Sequence, residues 1–224
     1  MLAGYRNSNG SFYNLGIYLD LWSSSESSST NAWRRDFYTS YSTVYRYTLS
    51  KGNGFSVRCL RDTDDTSDFT DPRDGNIYPC VKIGNQVWMT KNLAYLPSVN
   101  APDDGSEVDP KYHVYNNTST DVEVAKATTN YQEYGVLYNW PAAMASAPEG
   151  FHVPTDAEIN ELEVFVFNML YKNVSYDGNN AFTDKNYDYQ YAGENADRQL
   201  TITKTEIDTL NTSDTGNRQI EINR

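Results

Sequence analysis

The chain has 224 residues, of which 38% are hydrophobic, and it carries a net charge of −12 at pH 7. Its 18 Lys and Arg residues form no run, so nucleic-acid binding, which needs clustered basic side chains, is not expected. Nineteen tyrosines and four tryptophans are too many for a disordered chain and indicate a loop-rich folded protein packed around aromatic rings.

No apolar run approaches the roughly 20 residues of a membrane helix, so membrane insertion is not expected. The first ten residues, MLAGYRNSNG, lack the basic start and apolar core of a signal peptide.

Residues 1–61 are rich in Ser, Asn and Tyr, and AWRRDFY and TVYRYTL predict two strands joined at TSYS. Binding loops use this composition, because Tyr gives a large contact at low entropic cost while Ser and Asn give adaptable hydrogen bonds. For any single tyrosine, packing in a small aromatic core is the simpler interpretation. The candidate ligand-binding residues are Tyr5, Tyr13, Tyr18, Tyr38, Tyr41, Tyr45 and Tyr47.

Residues 62–76, DTDDTSDFTDPRDGN, form either a linker or an ordered acidic loop. Carboxylate oxygens suit calcium, so a structural calcium ion is one possibility, and a solvated acidic linker is the favoured alternative. No other cofactor is predicted. The candidate metal ligands are Asp62, Asp64, Asp65, Asp68, Asp71 and Asp74.

Residues 77–92 predict a hairpin that turns at Gly84–Asn85. Cys59 and Cys80 both lie in strand-like stretches. Two facing strands allow a disulfide if the Cα atoms come within reach, and two buried free thiols are an equal alternative. A bridge would indicate an oxidising, extracellular setting.

Residues 97–133 are predicted as a long polar loop, followed by a short helix with Pro141 in its first turn. Thr155 and Glu158 form a capping box that predicts the start of the clearest helix. In the last 49 residues, LTITKTEI and RQIEIN alternate like exposed or edge strands. Such strands either pair with another chain or form a hairpin on their own domain.

Motifs for catalysis are sparse. The chain has two histidines, and it contains no HExxH, phosphate-loop, CxxC or Ser–His–Asp pattern. His152 in GFHVP is expected to pack and hydrogen-bond rather than to act as a general base. The protein is therefore expected not to be an enzyme.

Several long motifs resemble one family, the Fibrobacter succinogenes major paralogous domain, which is found in surface and secreted proteins. Its opening half is similar to FTDPRDGNIYPCVKIGNQVWMTKNLAY, YGVLYNWPAAM and APEGFHVPTDAEINEL. Its closing half is similar to AGYRNSNGSFYNLG, LWSSSESSSTNAW and GFSVRCLRD. Ala147 departs from the pattern, because the family often has a Cys there.

The resemblance implies an α+β, C-type-lectin-like fold of short antiparallel sheets with one or two helices and long loops, whose halves stand in circularly permuted order. Residues 1–61 match the closing half and residues 77–175 the opening half, with an acidic linker at 62–76 and an extra loop and strand segment at 176–224. In one account, the chain comes from a tandem array and starts inside one domain and ends inside the next. In the other, the two halves fold together within one chain or between neighbouring chains.

In that fold the first and last strands pair, which would bring Cys59 and Cys80 together. A bridge there would close a ring of about 20 residues and contribute roughly 3 kcal/mol. The EPN, QPD and WND motifs of calcium-dependent lectins are absent, so calcium-mediated sugar binding is not expected.

The expected function is a non-catalytic extracellular or cell-surface module for recognition or adhesion of a protein or glycan ligand. The alternative is a structural subunit of a filament or tandem array. Such a subunit would assemble with copies of itself or neighbouring repeats by half-domain complementation or strand donation.

Overall fold

The computed structural model describes residues 1–40, 44–170 and 199–200, with the side chains up to residue 166. Within this part of the chain the fold is α+β, built from short antiparallel strands and four helices. None of the described helices has the length and apolar character needed to cross a bilayer.

The strands are taken in chain order. Residues 1–61 contain β1 (Tyr5–Arg6), β2 (Phe12–Tyr13), β3 (Tyr18–Glu26), β4 (Asn31–Tyr38), β5 (Val44–Ser50) and β6 (Leu60–Arg61). The next strands are β7 (Phe69–Thr70), β8 (Ile77–Tyr78), β9 (Cys80–Ile83), β10 (Gln86–Met89), β11 (Tyr112–His113), β12 (Leu137–Tyr138), β13 (Phe151–His152) and β14 (Gln199–Leu200). The helices are α1 (Val122–Lys126), α2 (Thr129–Tyr134), α3 (Trp140–Ser146) and α4 (Asp156–Leu170).

The longest strands form one sheet in the order β14-β5-β4-β3. The predicted pair of strands is confirmed, since β4 and β5 are antiparallel with Asp36 opposite Tyr45 and Arg34 opposite Tyr47. Strand β3 continues the sheet, with Tyr18 opposite Tyr38. Alternate residues of a strand point to opposite faces, so the tyrosines share one face of this sheet.

A second sheet joins the two segments that resemble the closing and opening halves. Its order is β13-β6-β10-β9, so β6 lies between two strands from residues 77–170. Leu60 is opposite both Trp88 and His152. The strand in GFSVRCLRD is therefore an interior strand that later parts of the chain complete.

The main hydrophobic core also draws on both segments. Trp22, Phe55 and Val57 are fully buried together with Leu93 and Tyr138. The Trp22 indole N–H donates to the Tyr138 carbonyl at 2.9 Å. Residues 1–61 and 77–170 thus form one body with a common core and a common sheet.

The predicted helix starts are confirmed. The Asn139 side chain caps α3 by accepting from the Ala142 N–H, and Pro141 lies in the first turn. At α4, the Thr155 N–H donates to the Glu158 carboxylate at 2.7 Å, and the Glu158 N–H donates to Thr155 Oγ1 at 3.1 Å. Each arrangement satisfies backbone donors that the first helical turn leaves unpaired.

The region predicted as a long loop at 97–133 is only partly one. It contains α1 and α2, and their caps Asp121 and Thr128 accept backbone N–H groups of the first turns. The helices have five and six residues, too short to show the periodicity that would predict them.

Helix α4 is attached to the sheet face opposite the tyrosines by ion pairs. The buried Arg35 side chain donates to Asp156 and to Glu163, each at 2.6 Å. Arg46 makes a bidentate pair with Asp156 at 2.8 Å and lies over the Trp33 ring at 3.3 Å. These pairs connect the first two turns of α4 to β4 and β5.

Of the two equal alternatives for Cys59 and Cys80, the structure has free thiols and not the candidate disulfide, and Cys59 alone of the two is buried. Strand β10 lies between them: the Met89 N–H donates to the Cys59 carbonyl, and Met89 is opposite Cys80 on the other side. Two strand spacings amount to about 10 Å, beyond the roughly 7 Å between Cα atoms that a disulfide spans.

Candidate functional site

Tyrosines of residues 1–61 line one face of the main sheet and the neighbouring β1–β2 hairpin, and this surface is here called the tyrosine face. Its described members are Tyr5, Tyr13, Tyr18, Tyr38, Tyr45 and Tyr47. Tyr41, the seventh predicted residue, lies outside the described residues.

Ring contacts link these residues across three strands. Tyr18 and Tyr38 are cross-strand partners with centroids 4.2 Å apart and rings nearly perpendicular. Tyr38 meets Tyr45 at 5.1 Å, again edge to face, and Tyr45 stacks parallel to Tyr47 at 5.8 Å. These are the geometries that aromatic pairs prefer.

The β1–β2 hairpin extends the face on the other side of β3. The Gly4 N–H donates to the Tyr18 carbonyl, which holds β1 against β3. Tyr5 contacts Tyr13 at 5.4 Å, and Tyr13 is 40% exposed. The other described members are half-buried, so their rings are part core and part surface.

A charged group that the sequence analysis did not identify lies beneath these rings. Asp20 on β3 is opposite Asp36 on β4, and Arg34 Nη1 donates to both carboxylates. Both carboxylates are buried, with 1% and 3% of the side chain exposed. The signal was present in YLDLW and RRDFY, where an acidic residue interrupts an aromatic strand face.

This charged group leaves one acceptor and one donor unpaired. Asp20 Oδ2 and Arg34 Nε are buried without a hydrogen-bond partner among the described residues. Burial, followed by repulsion from Asp36, raises the pKa of Asp20 well above its usual range. Burial also raises the pKa of Asp36, although Arg34 opposes that shift.

The rings continue into the core through Phe55. Tyr5 meets Phe55 edge to face at 6.0 Å, and Phe55 contacts Trp22 at 4.4 Å. The Arg34 guanidinium lies 4.9 Å from the Phe55 ring and 5.9 Å from the Tyr47 ring. The tyrosine face is therefore supported by rigid, packed residues beneath it.

The predicted calcium ligands do not come together. Within the described residues, no three His, Cys, Asp or Glu side chains converge as a metal site. Asp62 pairs with His152, Asp64 with Lys82, and Asp65 with Arg61. Since these three aspartates pair singly with separate partners, their arrangement gives no support to the possible calcium ion, which stays a prediction beside the favoured acidic linker.

Asp71 has a structural role in the acidic segment. It is fully buried, and Arg73 donates to both of its oxygens while also donating to the Ser146 carbonyl at the end of α3. Burial alone would raise the pKa of Asp71, but the Arg73 hydrogen bonds outweigh it and lower that pKa. Residues 62–76 were predicted to be either a linker or an ordered acidic loop, and around Asp71 the ordered loop is observed.

The histidines occupy two different environments. His113 is buried on β11 rather than in a polar loop, and neither ring nitrogen has a hydrogen-bond partner among the described residues. His152 lies between Asp62 at 2.5 Å and Glu158 at 3.0 Å. His152 thereby links the end of β6 to the cap of α4, as expected of a framework residue.

The fold and this face define an α+β protein with a tyrosine-covered sheet. The Fibrobacter succinogenes major domain model matches residues 81–221, more than half of the chain. The chain therefore belongs to the Fibrobacter succinogenes major domain family. No curated protein and no solved structure matches it.

The matched region differs from the predicted one at both ends. It includes residues 176–221, which were predicted to lie outside the family pattern, and it does not include residues 1–61. The strands that carry the tyrosine face therefore precede the matched region. Strand β14, which belongs to the matched region, pairs with β5 at the edge of the same sheet.

Proposed function

We propose that this protein is a non-catalytic recognition or adhesion module that binds a protein or glycan ligand through the tyrosine face. The carrying observation is the continuous set of ring contacts from Tyr18 through Tyr38 and Tyr45 to Tyr47 on partly exposed side chains. A rigid aromatic surface of this kind offers a large contact with little loss of side-chain entropy.

The environments of the reactive side chains favour binding over catalysis. Burial raises the pKa of the Cys59 thiol to about 12, which disfavours the nucleophilic thiolate. Burial and repulsion from Arg6 lower the pKa of His113 to about 3, so this imidazole stays neutral and enclosed. Both ring nitrogens of His152 are hydrogen-bonded to carboxylates of the framework, those of Asp62 and Glu158.

The proposal includes a C-type-lectin-like fold with its halves in permuted order, and an extracellular or cell-surface location. Support for the permuted order comes from β6, which lies between β10 and β13 as a closing strand joined to an opening half would. Support for the location comes from the resemblance to a family found in surface and secreted proteins.

The test is binding to glycan and protein arrays by the wild type and by Tyr45→Ala, with Tyr134→Ala as the control. Tyr134 is a half-buried tyrosine at the end of α2, away from the main sheet. We expect a saturable ligand whose affinity falls at least about tenfold in Tyr45→Ala, the loss typical of an interface hot spot. Equal loss in Tyr134→Ala, or binding unaffected by Tyr45→Ala, contradicts the proposal.

A second candidate function is that of a structural subunit that assembles by strand donation or half-domain complementation. The observation in its favour is β14, whose residues Gln199 and Leu200 pair antiparallel with Tyr45 and Val44 of β5. The edge of β5 accepts a strand from the tail, and an edge that accepts one strand can accept the same strand of another copy.

Light scattering and negative-stain imaging over a range of concentrations test this second function. Strand donation predicts fibres or oligomers that Leu200→Pro shortens or abolishes, because proline removes a backbone donor from the added strand. Monomers at every concentration exclude it.

A further inference from the structure

Asp20 and Asp36 form a buried acidic pair beneath the tyrosine face. They are cross-strand partners on β3 and β4, and 1% and 3% of their side chains are exposed. Both carboxyl groups accept from the same nitrogen, Arg34 Nη1. If both were ionised, two negative charges would lie in the interior against one positive charge, which does not offset the desolvation of both.

Among the described residues, the side chains around the pair supply no second positive charge that is not already engaged. On the side of the face the neighbours are phenols, and burial raises the pKa of Tyr5 and of Tyr38, so both stay neutral. Arg35, which also acts on Asp36, is paired with two carboxylates of α4. The tyrosines beside the pair on β1, β3, β4 and β5 are Tyr5, Tyr18, Tyr38, Tyr45 and Tyr47.

A single proton balances the charge of this group. When two carboxyl groups share a buried site, one of them keeps its proton, because like charges so close together do not both ionise. Burial and then repulsion from Asp36 raise the pKa of Asp20 well above its usual range, and the hydrogen bond with Asp36 acts in the same direction. That hydrogen bond acts in the opposite direction on Asp36, as it does when Asp20 is the donor.

We propose that Asp20 and Asp36 share one proton at neutral pH, as a carboxylic acid hydrogen-bonded to a carboxylate beneath the tyrosine face. The remaining negative charge is balanced by Arg34. Loss of the proton would place a second negative charge between β3 and β4, the strands that hold Tyr18 against Tyr38. The shared proton therefore supports the packing of the face, and its loss weakens ligand binding there. This last consequence rests on the proposed recognition function.

The shared proton makes the wild type less stable as the pH rises. In the unfolded chain both aspartates ionise near their ordinary pKa of about 3.9, while the folded pair keeps one proton. The stabilisation that this proton gives is complete below about pH 3.9 and is lost as the pH rises through the folded pKa of the pair.

The experiment compares urea unfolding of the wild type and Asp20→Asn, as full chains, between about pH 5 and about pH 8. The amide is neutral, has nearly the shape of the acid and can donate to Asp36. We expect the unfolding constant of the wild type, relative to that of Asp20→Asn, to rise by up to about tenfold for each pH unit. The two histidines are present in both proteins, so their contribution cancels in this ratio.

Two further variants distinguish a shared proton from a general effect of charge. Asp36→Asn should abolish the same pH dependence, because the remaining Asp20 pairs with Arg34 and the proton belongs to the pair. Asp68→Asn removes the same charge from the exposed acidic segment and should keep the wild-type dependence. If neither variant of the pair folds, carbon-13 NMR of the wild type at neutral pH should show one aspartate carboxyl group with the chemical shift of a protonated acid.

Parallel pH dependences of the wild type and Asp20→Asn overturn this inference, and so does a wild-type spectrum in which every aspartate is ionised at neutral pH. An Asp36→Asn protein that keeps the wild-type dependence also overturns it, because Asp20 would then hold its proton alone. If the arrays yield a ligand that Tyr45→Ala loses while the pH dependences are parallel, the recognition function stands and the shared proton fails. If the pH dependences differ as expected while the arrays contain no ligand, the shared proton stands without the recognition function.

Discussion

The two histidines couple folding to pH in opposite directions. His113 has a pKa lowered to about 3, first by burial and then by repulsion from Arg6. For His152, partial burial would lower the pKa, but the hydrogen bonds that the ring donates to Asp62 and Glu158 outweigh it and raise the pKa. In acid, His113 therefore opposes folding, whereas His152 supports it.

His113 should make the fold less stable as the pH falls. The unfolded chain takes up a proton near the ordinary histidine pKa of about 6.5, while the folded His113 remains neutral down to about pH 3. From pH 7 to pH 5 this costs the wild type about 2 kcal/mol of unfolding free energy. Urea unfolding of the wild type and His113→Gln at both pH values should show this loss in the wild type alone. Equal losses in both proteins would falsify the assignment.

His152 should show the reverse dependence. Because its folded pKa is raised, its contribution is complete below the unfolded pKa of about 6.5 and disappears as the pH rises through the folded pKa. His152→Gln should therefore cost more stability at pH 6 than at pH 8.5. Its side chain is 40% exposed, so solvent screening keeps the difference below about 1 kcal/mol. An NMR titration that gives a pKa below 6.5 for His152 contradicts this prediction.

At the scale of elements, the β9–β10 hairpin depends on the glycine in its turn. Gly84 has φ of 62°, and a Cβ there would lie 2.9 Å from Cδ2 of Phe165 on α4. Gly75 has φ of 77° with nothing within 4 Å of its Cβ position, so it carries the backbone strain without the contact. The turn thus brings the hairpin and α4 into close contact.

Gly84→Ala should destabilise the protein by about 1 kcal/mol more than Gly75→Ala, because overpacking adds to the cost of a left-handed alanine. This difference in stability between Gly84→Ala and Gly75→Ala should disappear when each substitution is combined with Phe165→Ala. Thermal unfolding of the four variants measures this. An excess that persists without the Phe165 ring would show that the contact is not its cause.

The attachment of α4 to the sheet depends on a buried cation. Arg35→Leu leaves the carboxylate of Glu163 without its partner, and burial already raises the pKa of Glu163. We expect a loss of about 3 kcal/mol, at the lower end for a broken buried pair because 22% of the Glu163 side chain reaches solvent.

The double variant Arg35→Leu/Glu163→Leu is the matched control for that loss. Asp156 keeps its bidentate partner Arg46, so the double variant should recover most of the stability. Urea unfolding of both variants decides the matter. A double variant as unstable as the single one indicates that packing, and not charge pairing, sets the cost.

At the scale of the whole molecule, residues 1–61 and 77–170 should unfold together. Leu60 packs against Trp88 and Ile159, while Leu93 lies in the core that contains Trp22 and Phe55. Leu60→Ala and Leu93→Ala should each lower the stability of one common transition by about 2–5 kcal/mol. Scanning calorimetry tests this. Two transitions, each shifted by only one variant, would mean that the segments fold independently.

Local structure could be predicted from the sequence wherever short-range chemistry sets it. Gly84–Asn85 between alternating apolar residues predicted the hairpin, Thr155 and Glu158 predicted the start of α4, and the two strands around TSYS appear as β4 and β5. The long motifs also predicted the family that the match over residues 81–221 shows. The hairpin and the helix start depend on residues a few positions apart. The family resemblance depends on the residue order within each long motif.

The arrangement of residues far apart in the chain could not be predicted in this way. The sequence could not place β10 between Cys59 and Cys80, so it left a disulfide and two free thiols as equal alternatives, and the thiols are free. Nor could it show Asp20 and Asp36 meeting Arg34 beneath the tyrosines, because cross-strand register depends on pairing between separate strands. Strand order and register follow from burial of a shared core, which is a property of the whole chain.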